Sequence, residues 1–100
     1  MFTGIVEALG KVVELKKEQS NLHIKIQTPI AKELKIDQSM AHDGICLTVI
    51  KVFPEESSYV VTAIQETLDR TNLAHLKDGD EINLERSMKL DGRFDGHIVQ

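Results

Sequence analysis

The chain has 100 residues, of which 41% are hydrophobic and 28% are charged, the composition of an ordinary folded domain rather than a disordered or fibrous protein. Twelve Lys and Arg residues stand against sixteen Asp and Glu residues, and the resulting net charge of -4 argues against nucleic-acid binding through phosphate neutralisation. The single cysteine, Cys46, excludes an internal disulfide, and no apolar run approaches the roughly 20 residues that span a bilayer. These features predict one soluble, cytoplasmic domain that does not bind nucleic acid or membranes.

Short runs of alternating apolar and polar residues predict strands along most of the chain. The alternation is clear at Leu22, Ile24 and Ile26, which are separated by His23 and Lys25. We predict six strands, at about residues 2–8, 10–16, 21–27, 44–53, 57–64 and 80–86. Six short strands predict an all-β protein with a small closed barrel.

Turn and helix signals separate these strands. Four of the six glycines follow an aspartate, and Asp-Gly pairs favour tight turns because glycine adopts positive φ freely. Thr28-Pro29 precedes good helix formers and predicts a short helix, and residues 66–70 predict another. Residues 54–57, Pro-Glu-Glu-Ser, predict the hairpin loop between two strands.

The segment Ile45-Cys46-Leu47-Thr48-Val49 carries a thiol and a hydroxyl two residues apart. In a strand, Cys46 and Thr48 share one face, and the three apolar side chains lie on the other. Two interpretations remain open. Cys46 is a small buried hydrophobic residue and Thr48 merely favours the strand, or the two side chains form the wall of a ligand pocket.

The histidines are scattered along the chain, at His23, His42, His75 and His97. His42 and Cys46 are four residues apart, a spacing that suits metal ligands on a helix, but Gly44 and the β-branched residues after it argue against a helix. We therefore predict no metal site. His97 follows Asp95-Gly96, where a turn can present an imidazole suited to proton transfer near neutral pH, or simply leave it solvated.

Five sequence blocks, spread over the whole chain, form a set of motifs in a fixed order. They include Met-Phe-Thr-Gly-Ile-Val-Glu at residues 1–7 and Ser-Met-Ala-His-Asp-Gly-Ile-Cys-Leu-Thr-Val at residues 39–49, with the others at 66–73, 83–90 and 96–100. In residues and in order, these blocks resemble the alpha chain of the riboflavin synthase family. Matches along the whole chain disfavour the alternative of an unrelated β-barrel interaction module.

The resemblance implies a six-stranded Greek-key barrel that occurs twice in each chain of the family. In the family's trimers, each active site lies between the first barrel of one subunit and the second barrel of a neighbour. Residues 1–100 then correspond to the N-terminal, lumazine- and flavin-binding barrel, and we expect this barrel alone to form a homodimer.

The implied reaction belongs to riboflavin biosynthesis and uses no metal or redox cofactor. Two molecules of 6,7-dimethyl-8-ribityllumazine exchange a four-carbon unit, which gives riboflavin and a ribitylaminopyrimidinedione. We expect an isolated barrel to bind ligand with little or no turnover. A non-catalytic lumazine- or flavin-binding protein of the antenna type is the alternative, and retention of Ser39, Cys46, Thr48 and His97 favours the enzyme.

The resemblance also assigns site residues position by position. Gly4, Ile5 and Val6 resemble a strand that lines the substrate pocket, and Cys46, Leu47 and Thr48 resemble a second wall. A third segment resembles the part of the family's site that meets the ring edge and the ribityl chain, and it consists of Thr62, Ala63, Ile64, Gln65, Glu66 and Thr67. The candidates that support the reaction are Phe2, Ser39, Cys46 and His97. Asp95 stands where the family commonly has glycine, which bears on the placement of His97.

Overall fold

A closed barrel of six antiparallel strands forms the body of the protein in the computed structural model, which describes residues 2–87. The strands are β1 (Ala8–Glu18), β2 (Asn21–Gln27), β3 (Ser39–His42), β4 (Ile45–Phe53), β5 (Ser58–Ala63) and β6 (Glu81–Arg86). Around the barrel they follow the order β1-β2-β5-β4-β3-β6, and pairing of β6 with β1 closes it. Because β2 pairs with β5 and not with β3, the topology is of the Greek-key type, and the predicted fold class is confirmed.

Alternate residues of the strands fill the interior of the barrel. Ile24 and Ile26 of β2 and Leu84 of β6 are fully buried, as the alternation of their segments predicted. The remaining large side chains of the core include Val12, Met40, Val49, Tyr59, Val61 and Ile82. Burial of each such side chain contributes about 1.5–3 kcal/mol to stability, so in the alternating strands the apolar residues define the face that points inward.

Short helical segments and turns connect the strands within residues 2–87. The helix predicted after Thr28 is a 3₁₀ turn at Pro29–Glu33, and the helix predicted at residues 66–70 is α1 (Gln65–Arg70). A 3₁₀ turn at Pro54–Glu56 forms the predicted hairpin loop, and a further one lies at Leu73–His75. No helix in this part of the chain is long and apolar enough to cross a membrane.

The predicted strands differ from the observed ones near the N-terminus. Residues 2–7 are not a strand, and a single strand, β1, replaces the two predicted at 2–8 and 10–16. Gly4 has a φ of 84°, which interrupts the extended backbone. Inside β1, the register shifts between Val12 and Glu14, which places a bulge at Val13.

One observed strand, β3, was not predicted. Its Met40, Ala41 and His42 are all buried, so the segment lacks the polar and apolar alternation that marks a half-exposed strand. The turn that follows was predicted correctly: Asp43 and Gly44 both have positive φ, 51° and 86°, and join β3 to β4 in a tight hairpin.

Candidate functional site

The outer surface of β3 and β4 carries the thiol and hydroxyl side chains predicted for the site. Ser39 lies opposite Thr48 in the ladder, and Ala41 lies opposite Cys46. Cys46 and Thr48 are exposed, whereas Leu47 between them is buried. The interpretation of Cys46 as a buried hydrophobic residue is therefore wrong, and its thiol faces solvent beside two hydroxyl groups.

Strand β5 adds a third hydroxyl to this surface. Val49 of β4 pairs with Val61 of β5, so Thr48 and Thr62 occupy the adjoining positions at that end of the ladder. Thr62 is half-buried and lies between two fully buried residues, Val61 and Ala63, which places its side chain on the outer face. We call Ser39, Cys46, Thr48 and Thr62 the polar row.

Two hydrogen bonds extend the polar row onto β2 and β1. Thr62 pairs with His23 across the ladder, and its hydroxyl lies 2.8 Å from the Nδ1 atom of that imidazole. The Nε2 atom of His23 lies 2.7 Å from the Oε1 atom of Glu18. This hydrogen bond holds the pKa of Glu18 below its usual range. Sequence analysis did not find this trio, because only the β2–β5 pairing brings His23 to Thr62.

The N-terminal segment, residues 3–6, is held by one carboxylate of β6. Both the amide and the hydroxyl of Thr3 donate hydrogen bonds to Glu85, and the amide of Gly4 donates to the other carboxylate oxygen at 3.0 Å. These hydrogen bonds, of which those from Thr3 have the largest effect, keep the pKa of Glu85 below its usual range. The segment that was predicted to be a strand lining the pocket is thus irregular. Its hydrogen bonds to Glu85 hold it in position.

This segment borders a shallow groove next to the polar row. The groove has a volume of about 560 Å³ and includes Gly4, Val6, Ala41 and Gly44 in its lining. The side chains of Ile5 and Val6 are 70% and 50% exposed, and Val6 lines the groove, so this edge offers apolar surface next to polar residues of β6. A flat apolar ring with polar edges needs this combination of groups.

An ion pair anchors the chain where the N-terminal segment enters β1. The Nε and Nη2 atoms of Arg86 donate to one oxygen of the Glu7 carboxylate, and its backbone amide donates to the other at 3.0 Å. The Nη1 atom of Arg86 donates to Glu33 at 2.9 Å. The side-chain hydrogen bonds from Arg86 lower the pKa of Glu7. The segment is therefore fixed at both ends by carboxylates and their partners on β6.

The remaining predicted site residues lie where β5 leaves the barrel and α1 begins. Ile64, Gln65 and Glu66 are exposed, and Thr67 is half-buried. The side chain of Ala63, like that of Leu47, points into the core, so neither side chain faces a ligand on the outer surface. Phe2 is half-buried.

The described residues of this surface include neither His42 nor His97. His42 is fully buried at the end of β3, whereas Cys46 is exposed, so the pair does not share a face. His97 and Asp95 lie outside the described residues. Among residues 2–87, no group of three or more His, Cys, Asp or Glu side chains is arranged to hold a metal ion.

The chain is similar to one known protein family over nearly all of the described residues. Residues 3–87 match the family described as the lumazine binding domain. The chain belongs to this lumazine-binding domain family.

The similar curated proteins carry the name riboflavin synthase. The protein from Actinobacillus pleuropneumoniae is 37% identical over 99% of this chain and 46% of its own length. Those from Photobacterium phosphoreum and Mycobacterium bovis are 41% and 39% identical and are covered over 45% and 50% of their lengths. The chain therefore spans about half the length of the curated relatives it matches.

A solved structure shares the fold. LumP, crystallised with 6,7-dimethyl-8-(1'-D-ribityl)lumazine, superposes with a TM-score of 0.81 at 22% identity. The match covers 100% of this chain and 52% of the LumP chain. The likeness confirms the barrel architecture of this lumazine-binding domain.

Proposed function

We propose that this chain is the substrate-binding N-terminal barrel of a riboflavin synthase and that it binds 6,7-dimethyl-8-ribityllumazine and riboflavin. The observation that carries the proposal is the polar row, Ser39, Cys46, Thr48 and Thr62, on the outer face of three neighbouring strands. The named relatives support it, since they are riboflavin synthases with about 37–41% identity to the chain.

The chemistry of the face suits such a ligand. A lumazine or flavin has a flat ring with hydrogen-bonding groups along one edge, and it carries a polyhydroxyl chain. Exposed Ile5 and Val6 supply apolar contact for the ring. The hydroxyls of Thr48 and Thr62 supply fixed polar partners for the edge and the chain. Exposed Gln65 and Glu66 extend the same surface at the end of β5.

The reaction of the whole enzyme needs two such ligands at once. One lumazine loses a proton from a methyl group and attacks the second, so the two rings must be held face to face. We assign proton transfer to His97, with Cys46 and Ser39 as polar or nucleophilic support. In the barrel, Ser39 and Cys46 are two ladder positions apart on β3 and β4, on the face where the ligand would lie.

A second barrel must cover this face for the rings to meet. We propose that two copies of this chain form a homodimer through the surface that carries Ile5 and Val6, whose exposure is 70% and 50%. A contact between identical surfaces is the common way for a dimer to form. The trimer of longer family members remains an expectation for a chain with two barrels.

Three measurements test the proposed function. Binding of riboflavin should quench its fluorescence, and light scattering should show a dimer at moderate protein concentration. Incubation with 6,7-dimethyl-8-ribityllumazine should give riboflavin slowly, at a rate that rises with protein concentration as the dimer forms. A folded sample that binds neither ligand near millimolar concentration contradicts the proposal, and tight binding with no turnover in the dimer favours an antenna-type protein.

A further inference from the structure

We propose that Glu18 and His23 position the Thr62 hydroxyl as a hydrogen-bond acceptor for the ribityl chain of the ligand. The inference rests on the proposed function, because it deepens the assignment of the lumazine- and flavin-binding face. It concerns two residues, Glu18 and His23, that neither the family resemblance nor the sequence motifs single out. They act through Thr62 and are therefore positioning residues.

The protonation of the imidazole follows from its two partners. A carboxylate only accepts hydrogen bonds, so the Nε2 atom of His23, 2.7 Å from Glu18 Oε1, carries the proton. In the neutral imidazole the other nitrogen, Nδ1, is then an acceptor. The Thr62 hydroxyl, 2.8 Å away, donates its only proton to that nitrogen.

A hydroxyl that has donated its proton offers only oxygen lone pairs to a third group. While His23 is neutral, Thr62 therefore accepts a hydrogen bond from the ligand and cannot donate one. A ribityl chain carries several hydroxyl donors, whereas most polar positions on the edge of an oxidised flavin ring are acceptors. This complementarity favours the ribityl chain over the ring edge as the partner of Thr62.

The surroundings of His23 also suit a polar chain. On the side of His23 away from Cys46, a groove of about 430 Å³ continues along the outer face. Its lining combines polar and charged side chains, Glu14, Lys16, Glu18, His23, Lys25 and Lys51, with the apolar side chains of Ile50, Phe53 and Val60. The charged groups of this lining can exchange hydrogen bonds with the hydroxyls of such a chain.

Two ligands that differ only in this chain provide the test. Riboflavin carries the ribityl group, and lumiflavin has a methyl group in its place. We expect Thr62→Val and His23→Leu each to weaken riboflavin binding roughly three- to tenfold, the size of one net hydrogen bond, and to leave lumiflavin binding unchanged. Thr62→Ser, which keeps the hydroxyl, should restore the preference for riboflavin.

Matched controls separate this role from a structural one. His75→Leu places the same apolar side chain at an exposed histidine in the 3₁₀ turn Leu73–His75, and it should change neither affinity. Equal loss of both ligands in Thr62→Val and His23→Leu would overturn the inference, as would unchanged riboflavin affinity. If the folded wild-type protein binds no riboflavin, the proposed function itself fails. Wild-type binding with unaltered selectivity in the variants overturns only the positioning of Thr62 by His23.

Discussion

The Nε2 atom of His42 lies 2.8 Å from the hydroxyl of Tyr59 across the interior of the barrel. His42 belongs to β3 and Tyr59 to β5, and β4 separates these strands in the barrel wall. The Nδ1 atom of His42 lies 3.2 Å from the carbonyl oxygen of Met40, which can only accept, so Nε2 accepts the Tyr59 proton. The pair links the strand that carries Ser39 to the strand that carries Thr62.

Acid should destabilise the fold through His42. The side chain of His42 is fully buried, and this burial lowers its pKa from 6.5 to about 4. Between these two pH values the unfolded chain therefore binds a proton at His42 that the folded chain does not bind. The contribution of His42 to stability is complete above the unfolded pKa of 6.5 and is lost as the pH falls toward about 4. Urea unfolding should show a free energy of unfolding about 2 kcal/mol lower at pH 5 than at pH 7.

A variant without the titrating group provides the control for this pH dependence. His42→Gln should unfold more easily at pH 7, because the Tyr59 hydroxyl loses its buried partner, but its stability should change little between pH 7 and pH 5. An equally steep loss of stability in His42→Gln would show that other groups cause the acid sensitivity.

Gly10 should tolerate no side chain, because two core residues pack directly against it. A Cβ atom at this position would lie 2.5 Å from Ile26 Cγ2 and 2.8 Å from Leu84 Cδ1. We expect Gly10→Ala to lower the free energy of unfolding by about 1–3 kcal/mol through overpacking, as measured by urea unfolding. Lys11→Ala, at the neighbouring exposed position, should change stability by less than about 0.5 kcal/mol. A Gly10→Ala protein as stable as the wild type would contradict this packing.

Loss of the Glu85 charge should loosen the N-terminal segment without unfolding the barrel. Glu85 accepts the hydrogen bonds of Thr3 and Gly4, and these keep its pKa low, so the bonds persist above that pKa and weaken as the carboxylate is protonated. We expect Glu85→Gln to speed hydrogen exchange at these two amides by NMR, with little change in thermal unfolding. Glu81→Gln, on the same strand, should leave both amides protected. Unchanged exchange in Glu85→Gln would mean that other contacts hold the segment.

The parts of the fold that depend on local pattern were predictable, and those that depend on pairing were not. Strand β2 was predicted at its observed bounds because Leu22, Ile24 and Ile26 alternate with polar residues. Strand β3 was missed because its Met40, Ala41 and His42 are all buried. The segment at residues 2–7 contains apolar Ile5 and Val6, but it is held by side chains rather than by a ladder.

The same distinction holds for the candidate site. Period-two alternation placed Cys46 and Thr48 on one face, and their exposure confirms that face. The opposition of Ser39 to Thr48, and the contact of Thr62 with His23, arise from long-range strand pairing. Spacing along one chain carries no information about such pairs, so the polar row emerged only from the topology.

Turnover should depend on the residues assigned to proton transfer and polar support. We expect His97→Ala to reduce the rate of riboflavin formation by about a hundredfold, as for loss of a general acid or base, and Cys46→Ser to reduce it several-fold. His75→Ala, an exposed histidine in the 3₁₀ turn Leu73–His75, should retain the wild-type rate. If His97→Ala and Cys46→Ser both kept the wild-type rate, neither residue would have a catalytic role in this chain.

Amide chemical shifts recorded during a titration with 6,7-dimethyl-8-ribityllumazine test most directly whether the ligand lies on the polar row. We expect the largest shifts at Cys46, Thr48 and Thr62, with further changes at residues 4–6 and 64–67. Gln19, in the hairpin turn between β1 and β2, and Glu55, in the loop between β4 and β5, should not shift. Saturable shifts centred on the polar row would support the assignment, whereas shifts centred elsewhere, or none near millimolar ligand, would contradict it.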